Sequence, residues 1–307
     1  MTQVSEPFVH PALFYRDDQE YLAGTVPFVQ DGLAAGEPVA VAVPGSRLGL
    51  LRTELGTDAG AVRFIDMAEA GRNPGRIIPK VLRAFADAHP AGRVRIIGEP
   101  IWPGRTEAEY PACVQHEALI NAAFHDRDVT IVCPYDAARL DEAVLADAYA
   151  THPVVVDAGR EERSGTYDPD HVVAVYNQPL ARPSRAAAFA FGAELLPGAR
   201  DFAVDRARRL GLTDERLEDF TLAVAELTTN SVVHGGGSGT VRVWTQDGQV
   251  LCEVTDAGHL ADPLAGRRPP PPEQIGGRGL LIVHYLTDLV RVHTGPEGTT
   301  IRFHLAN

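Results

Sequence analysis

The chain has 307 residues, of which 45% are hydrophobic and 22% are charged. These proportions are typical of a soluble globular protein, and the length suits two domains, so general disorder and a coiled-coil architecture are disfavoured. The net charge is −13, with 28 basic against 41 acidic residues. That balance disfavours direct binding to a nucleic acid, because binding to its phosphate backbone needs a basic surface.

Lys80 is the only lysine in the chain. A Walker A motif and a protein-kinase fold each need a lysine in a defined sequence context, and the surroundings of Lys80 fit neither. Any nucleotide chemistry must therefore hold phosphates with backbone amides, a metal ion and arginine.

The three cysteines, Cys113, Cys133 and Cys252, lie far apart and form no CxxC pair of the kind that binds zinc or carries out redox chemistry. Reduced, packed thiols are expected. The first residues show no basic start, and no stretch of about 18 apolar residues occurs, so neither a signal peptide nor a membrane span is expected. We therefore expect a cytoplasmic protein without membrane contacts.

The first half alternates helical patterns with short apolar runs rich in β-branched residues. An amphipathic helix over 17–36 precedes a buried strand over 39–43. Further strands are predicted over 62–66, 94–100 and 129–136, with helices over 46–55, 75–88, 106–124 and 139–150. Apolar strands that alternate with helices predict an α/β fold with a mainly parallel sheet covered on both faces.

The second half begins at a boundary near residue 178, which gives domains over 1–178 and 179–307. The predicted helices are 198–210, 214–234 and 278–287, and the predicted strands are 187–191, 239–246, 249–256, 288–294 and 299–306. Asp247-Gly248 is a strong signal for a two-residue hairpin turn. The pattern predicts an α+β fold with helices on one face of a mixed sheet.

Four pieces of the second half carry residues suited to nucleotide chemistry. Glu226 and Asn230 lie four residues apart on the predicted helix and so share one face. A strand runs into Asp256-Ala257-Gly258, and Gly276-Gly277-Arg278-Gly279 opens the next helix, whose unpaired amides favour an anion. Gly298-Thr299-Thr300 begins the last strand.

In this order the four pieces resemble the N, G1, G2 and G3 boxes of the GHKL ATPases, a superfamily with the Bergerat ATP-binding sandwich. The resemblance covers roughly residues 179–307. The short lid and the sequence GGRGLLIV (276–283) are most similar to the anti-sigma factor serine kinases, which bind a sigma factor and phosphorylate an antagonist protein.

The resemblance implies a role for each matching residue. Glu226 is the general base that takes a proton from an attacking serine hydroxyl or from water, and Asn230 coordinates Mg²⁺ between the ATP phosphates. Asp256 accepts a hydrogen bond from the adenine amino group. Gly276, Gly277 and Gly279 wrap the phosphates, and Arg278 meets the γ-phosphate in place of the absent lysine. Gly258 lets the base approach the backbone, and Thr299 and Thr300 back the adenine pocket.

One stretch departs from the family pattern. Many members continue the G1 box as DxGxG, whereas His259 and Leu260 stand in the last two positions here, so we expect a stiffer loop. The lid carries RRPPPPEQ over 267–274, a polyproline-like stretch that is expected to limit lid motion.

The first half carries HPALFYRDDQEYL, GEPIWPGR, HEALIN and CPYD, which together resemble the MEDS sensory domain over roughly residues 8–170. This family is a RecA-like or Rossmann-like module without an intact P-loop. The segment VPGSRLGLL (43–51) stands where a phosphate loop would follow the first strand, but it lacks a GK[ST] ending. Nucleotide hydrolysis is therefore not expected in this half.

Ligands of open parallel sheets bind at the carboxyl ends of the strands, which predicts a pocket for an unidentified sensory ligand. Its candidate residues are Glu99, Trp102, Arg105, His116, Cys133, Tyr135 and Asp136. An equally weighted alternative is a buried ion-pair network of Glu99, Arg105 and Asp136. No metal is assigned to this half, because His116 lacks a second histidine four residues on.

The leading interpretation is a sensory module that controls a Mg·ATP-dependent serine/threonine kinase, which phosphorylates a STAS-type antagonist and so controls the availability of a sigma factor. A homodimer is expected. One alternative is a non-catalytic module that uses ATP only to shape a sigma-factor or antagonist interface. The other is a sensor histidine kinase, which is disfavoured because His152 and His171 lie in proline-rich surroundings predicted to be non-helical.

Overall fold

The computed structural model describes residues 7–183, 185–268 and 277–307. Its contacts divide the chain into two units, Met1–Tyr176 and Asn177–Asn307, and each unit has its own sheet and its own hydrophobic core. Within the described ranges, no helix is both long and apolar enough to cross a bilayer.

The first unit is a parallel sheet with helices between its strands. Its strands are β1 (Phe8–Val9), β2 (Pro11–Tyr15), β3 (Val39–Val43), β4 (Val62–Asp66), β5 (Val94–Gly98), β6 (Val129–Asp136), β7 (Val154–Asp157) and β8 (Arg160–Arg163). Its helices are α1 (Asp18–Ala34), α2 (Gly45–Leu55), α3 (Met67–Ala70), α4 (Ala84–Ala88), α5 (Tyr110–Phe124), α6 (Glu142–Thr151) and α7 (Pro169–Val175).

The sheet runs in the order β4-β3-β5-β6-β2-β7-β8, and β1 pairs with β6. Among the described strands of this unit, every pair is parallel except the β7-β8 hairpin. All five residues of β3 are buried, as a strand covered on both faces requires. The predicted α/β fold with a mainly parallel sheet is confirmed.

Several parts of the first unit differ from the sequence prediction. The helix predicted over 75–88 is regular only in α4, because residues Ile77–Arg83 form a π-helical segment that contains Pro79. A proline has no N–H and clashes with the carbonyl four residues earlier, so the chain cannot form a regular α-turn there. In addition, β2 was not predicted, although it lies between β6 and β7.

The second unit is an antiparallel sheet covered by helices. Its strands are β9 (Ala187–Gly192), β10 (Ser238–Gln246), β11 (Gln249–Asp256), β12 (Leu289–Gly295) and β13 (Gly298–Ala306). Its helices are α8 (Leu196–Arg209), α9 (Asp214–Val233) and α10 (Gly279–Leu286). The strand order is β12-β13-β11-β10-β9.

All described strand pairs in this sheet are antiparallel, so the prediction of a mixed sheet is wrong, whereas the α+β sandwich is confirmed. Alternate residues of the strands share one core with apolar residues of α8, α9 and α10. Asp247 and Gly248 both have positive φ, 49° and 75°, which confirms the predicted two-residue turn between β10 and β11. The register of β11 and β13 places Asp256 opposite Thr299.

Candidate functional site

Glu226 and Asn230 lie one turn apart on α9, where the beginning of α10 packs against them. A Cβ atom on Gly279 would lie 2.7 Å from Glu226 Oε2 and 3.2 Å from Asn230 Nδ2. Any side chain at position 279 would displace these two groups, so glycine is what permits the close approach. The predicted N box and the described part of the G2 box therefore meet in space.

Asp256, at the end of β11, is held by two hydrogen bonds. Ser231 Oγ donates to Asp256 Oδ2 at 2.6 Å, and the Gly258 N–H donates to Oδ1 at 2.9 Å. Each carboxylate oxygen keeps a further lone pair for another donor. The carboxylate is thus oriented by α9 on one side and by its own turn on the other.

The backbone around Asp256 is closely packed, and glycines make this packing possible. A Cβ on Gly235 would overlap the Asp256 carboxylate, and one on Gly298, whose φ is +123°, would overlap the Asp256 carbonyl oxygen. A Cβ on Gly258 would lie 2.8 Å from His234 O and from Gly235 Cα. The absent side chain of Gly258 therefore makes room for the end of α9.

The first residues of β13 differ in where their side chains point. Thr299 is buried, and its hydroxyl donates to Gly258 O at 2.9 Å and lies 2.9 Å from Thr294 Oγ1. Thr300 faces the other side of the strand, where its Oγ1 is 3.4 Å from Thr255 Oγ1. Only Thr299 is brought to Asp256.

A cavity of about 640 Å³ opens between α9, α10 and the ends of β11 and β13. Its lining consists of Asn230, His234, Gly235, Asp256, Gly258, His259, Leu260, Asp262, Leu264, Ala265, Gly266, Arg268, Gly277, Gly279, Leu280, Thr299 and Ile301. Six predicted residues are therefore in the lining: Asn230, Asp256, Gly258, Gly277, Gly279 and Thr299. The other four predicted residues are not in the lining. Glu226 lies next to Gly279, and Arg278 is exposed at the N-cap of α10. Thr300 lies outside the lining, and Gly276 is outside the described residues.

The cavity suits a nucleotide in size and in chemistry. Its volume lies in the range of small-ligand sites, and Leu260, Leu264 and Ile301 offer apolar surface to a flat base. Asp256 offers a hydrogen-bond acceptor, and the start of α10, with Gly277 at φ +76°, offers backbone amides to an anion. The carboxamide oxygen of Asn230 is a ligand type that Mg²⁺ accepts. The residues present therefore fit Mg·ATP.

The loop after Asp256 is fastened to β12. Leu260 N–H donates to Thr294 Oγ1 at 3.0 Å, and His259 Nδ1 lies 3.2 Å from the same oxygen. In the lid, a Cβ on Gly266 would lie 2.5 Å from Leu280 Cβ, so that segment packs closely on α10. Most of the polyproline-like stretch lies outside the described residues.

Sequence reasoning missed three residues that build the site: Ser231, Gly235 and Thr294. Ser231 orients Asp256, Gly235 gives the carboxylate room, and Thr294 joins the loop to Thr299. Ser231 follows Asn230 directly, but a serine in a helix is too common to predict a hydrogen bond to a residue in a later strand.

Two family models match the chain. Residues 9–153 match the MEthanogen/methylotroph, DcmR Sensory domain (MEDS), and residues 189–305 match the histidine kinase-like ATPase domain. The chain carries a MEDS domain and a histidine kinase-like ATPase domain. Both predicted resemblances are thereby confirmed at the level of the domain family, and ATP binding follows from the family of the second domain.

Similar solved structures include the RsbU and RsbW domains of a Mycobacterium tuberculosis protein, 19% identical with a TM-score of 0.31, over 40% of this chain. This chain spans a third of that protein's length. The Acinetobacter baumannii histidine kinase AdeS is 12% identical with a TM-score of 0.25, over 64% of this chain and 94% of that one. No curated protein matches the chain.

In the MEDS domain, Glu99 forms a buried group with residues at the carboxyl edge of the sheet. Tyr15 OH donates to Glu99 Oε1 at 3.0 Å, and the Arg47 guanidinium lies 4.9 Å from the centre of the Tyr15 ring. Burial raises the pKa of Glu99 to about 8, and the nearby Asp136 carboxylate adds to the increase. Glu99 and the buried Asp136 thus share one polar environment.

Arg105 has a structural role in this domain. Its guanidinium donates to Gly71 O at 2.7 Å and to Pro100 O at 2.9 Å, and it stacks 3.9 Å from the centre of the Trp102 ring. Its ion pair is with Glu109. Within the described residues, the alternative network of Glu99, Arg105 and Asp136 is therefore not formed.

The other predicted pocket residues, His116, Cys133 and Tyr135, are buried, each at most 1% exposed. A cavity of about 440 Å³ in this domain contains none of the seven candidates and is lined instead by residues such as Arg63, Lys80 and Phe85. The sensory pocket stays a prediction.

The two histidines considered as phosphate acceptors occupy different positions. His152 is fully buried after α6. His171 is exposed but lies in α7, so the prediction of non-helical surroundings is wrong for it. Asp168 caps this helix by accepting a hydrogen bond from the His171 N–H, and Pro169 at the first helical position favours helix formation.

Proposed function

We propose that the ATPase domain uses Mg·ATP to phosphorylate a serine or threonine of a partner protein, under the control of the MEDS domain. The partner class is a STAS-type antagonist, so that phosphorylation controls a sigma factor in the cytoplasm. The observation that carries the proposal is the packing of Gly279 against Glu226 and Asn230 at the edge of the cavity. This packing brings a carboxylate, a carboxamide and a helix N-terminus to one place.

Binding is assigned to the residues that line or border the cavity. Asp256 accepts a hydrogen bond from the adenine amino group, and Thr299 fixes the loop behind it through Gly258 O. Asn230 holds the Mg²⁺ ion, while Gly277, Arg278 and Gly279 hold the phosphates with backbone amides and a guanidinium. Bound Mg·ATP supplies the transferable phosphoryl group.

Proton transfer is assigned to Glu226. Its carboxylate lies beside the start of α10, within contact distance of the position a Gly279 side chain would take. From there Glu226 accepts the proton of the attacking serine or threonine hydroxyl as that oxygen becomes nucleophilic. A general base of this type contributes about 10²- to 10⁴-fold to the rate.

The test is transfer of labelled γ-phosphate to candidate antagonist proteins from the source cell, with the acid stability of the label recorded. We expect acid-stable label on a partner serine or threonine. Glu226→Gln should lose this label. Its matched control is Glu218→Gln, which removes an exposed carboxylate from the same helix and should keep the label. Acid-labile label on this chain would instead show a histidine kinase, and ATP binding without any transfer would show a binding module.

A further inference from the structure

Four side chains suited to metal binding meet in the interior of the MEDS domain. His10 lies between β1 and β2, Glu117 in α5, Cys133 in β6, and His152 directly after α6. Each of them is at most 1% exposed. One ligand atom from each residue lies within 4.8 Å of all the others. The ATPase site does not include this group, and of its four members only Cys133 was among the predicted sensory-pocket residues; we call the group the His-Glu-Cys cluster.

Four of the six distances among these ligand atoms match those of a tetrahedral metal site, and all six are within 4.8 Å. His10 Nε2 lies 3.3 Å from Glu117 Oε2, and His152 Nε2 lies 3.4 Å from the same oxygen. Cys133 Sγ lies 3.4 Å from both His10 Nε2 and Glu117 Oε2. Tetrahedral zinc with ordinary bond lengths keeps its ligand atoms about 3.3–3.7 Å apart. A central ion therefore fits without displacing these four contacts.

Neighbouring hydrogen bonds direct a lone pair of His10 into the cluster. Asn121 Nδ2 donates to Thr151 O at 2.9 Å and to Ala118 O at 3.1 Å, so Asn121 Oδ1 is an acceptor. His10 Nδ1 lies 3.2 Å from that oxygen and must carry its proton. The other ring nitrogen, Nε2, then presents a lone pair, as a metal-bound histidine does.

His152 is oriented in the same way. Its Nδ1 lies 2.8 Å from Ala148 O, a backbone carbonyl that can only accept, so Nδ1 carries the proton and Nε2 the lone pair.

In the absence of a cation, the cluster has too few protons for its acceptors. Two imidazole lone pairs and one carboxylate face one another, and the Cys133 thiol supplies a single proton. In addition, Glu117 Oε1 has no hydrogen-bond partner among the described residues, although it is buried. Leaving acceptors unpaired in the interior is costly, so the arrangement calls for a positive centre.

We propose that His10, Glu117, Cys133 and His152 bind one divalent transition-metal ion, and that Zn²⁺ fits this set of two nitrogens, one oxygen and one sulfur. On binding, the Cys133 S–H bond breaks, a sulfur–metal bond forms, and the proton passes to solvent. Two neutral imidazoles, one carboxylate and one thiolate then balance the ion's two positive charges. Because four protein ligands close the site, the ion ties together the segments around β2, α5, β6 and α6.

The experiment uses the full chain, purified without chelator and analysed for zinc, iron, copper, nickel and manganese. We expect about one Zn²⁺ ion per chain, and X-ray absorption with one sulfur and three nitrogen or oxygen ligands. Replacement by Co²⁺ should give the charge-transfer absorption of a thiolate ligand. Adding Zn²⁺ to chelator-stripped protein should release one proton per ion from Cys133 and raise the melting temperature of the MEDS domain by about 5 °C.

In Cys133→Ala, the cobalt–thiolate absorption should disappear. Its Zn²⁺ affinity should fall at least tenfold. The matched control is Cys113→Ala, which removes another fully buried cysteine of the same domain from outside the cluster and should leave both unchanged. If Cys133→Ala fails to fold, X-ray absorption of the unchanged chain is the deciding test: one sulfur ligand on the metal supports the proposal, and none overturns it. Equal binding by both variants would overturn the proposal, as would a chain that binds neither Zn²⁺ nor Co²⁺.

Discussion

At the residue scale, the Asp256 carboxylate already receives hydrogen bonds from Ser231 and from its own turn. Its remaining lone pairs are what an adenine amino group needs. Asp256→Asn replaces one acceptor oxygen with a donor of nearly the same size, so we expect ATP affinity to fall at least about tenfold, or ~1.4 kcal/mol. Calorimetric titration with ATP measures the change.

The control for Asp256 is Asp247→Asn, at the hairpin turn between β10 and β11, where asparagine tolerates a positive φ. It should bind ATP as the unchanged chain does. Unchanged affinity in Asp256→Asn would remove this residue from the adenine site.

Because of Glu99, we expect the free energy of unfolding of the MEDS domain to depend on pH. Its pKa is raised by burial to about 8 in the folded state, against 4.5 as the ordinary value. The folded state therefore holds a proton that the unfolded state loses. The contribution of Glu99 to the free energy of unfolding is therefore largest below about pH 4.5. It falls by about 1.4 kcal/mol per pH unit as the pH rises towards 8.

Glu99→Gln keeps an acceptor for Tyr15 OH and cannot ionise, so it should lose this dependence and be the more stable chain at pH 8. Urea unfolding followed by hydrogen exchange of β5 peptides, compared at pH 5, 6, 7 and 8, measures the difference. If the free energy of unfolding changed with pH in the same way in both chains, the raised pKa of Glu99 would be contradicted.

Residue-level prediction from the sequence succeeded where spacing along one element decides proximity. Glu226 and Asn230 follow from helical periodicity, and the structure places Asn230 in the cavity lining. The His-Glu-Cys cluster was out of reach, because its members come from separate elements and only the order of the strands brings them together. The residues around His116 do not fit a helical metal motif, whereas its neighbour Glu117 is in the cluster.

At the scale of elements, the start of β13 is fixed against the end of β11. Gly298 has φ +123°, and a Cβ there would overlap the Asp256 carbonyl oxygen. Gly298→Ala should therefore destabilise the ATPase domain by about 2 kcal/mol or more, through both steric overlap and backbone strain. It should also weaken ATP binding, because Thr299 is the next residue.

Gly248→Ala separates the effect of steric overlap from that of backbone strain. Gly248 also has a positive φ, 75°, but its Cβ would meet open space, so only the backbone strain of about 1 kcal/mol is expected. Hydrogen exchange of β11 and β13 peptides in increasing urea gives both values. Equal losses in the two variants would show that the close approach at Gly298 contributes nothing.

Sequence patterns located most elements, and the exceptions have physical causes. The apolar run of β3 and the Asp247-Gly248 turn are local signals, and both were predicted. The π-helical segment around Pro79 was not, because helical periodicity does not reveal how a proline is accommodated. The antiparallel pairing of β13 with β11 joins segments that lie far apart in the sequence, which no local pattern specifies.

At the scale of the whole molecule, the two units have separate sheets and separate cores. We therefore expect residues 177–307 alone to fold cooperatively and to bind ATP with an affinity within threefold of that of the full chain. Circular dichroism during thermal unfolding and calorimetry with ATP test this. A fragment that shows no cooperative transition would contradict the independence of the second core.

In the proposed reaction, Glu226 acts on the proton of the attacking hydroxyl while other residues bind the nucleotide. The most direct measurement is the single-turnover rate of phosphoryl transfer to the partner protein, made together with the ATP dissociation constant, for the unchanged chain and for Glu226→Gln. We expect the transfer rate of Glu226→Gln to fall at least about 100-fold while its ATP dissociation constant changes less than threefold. Transfer that persists at the original rate in Glu226→Gln would contradict it.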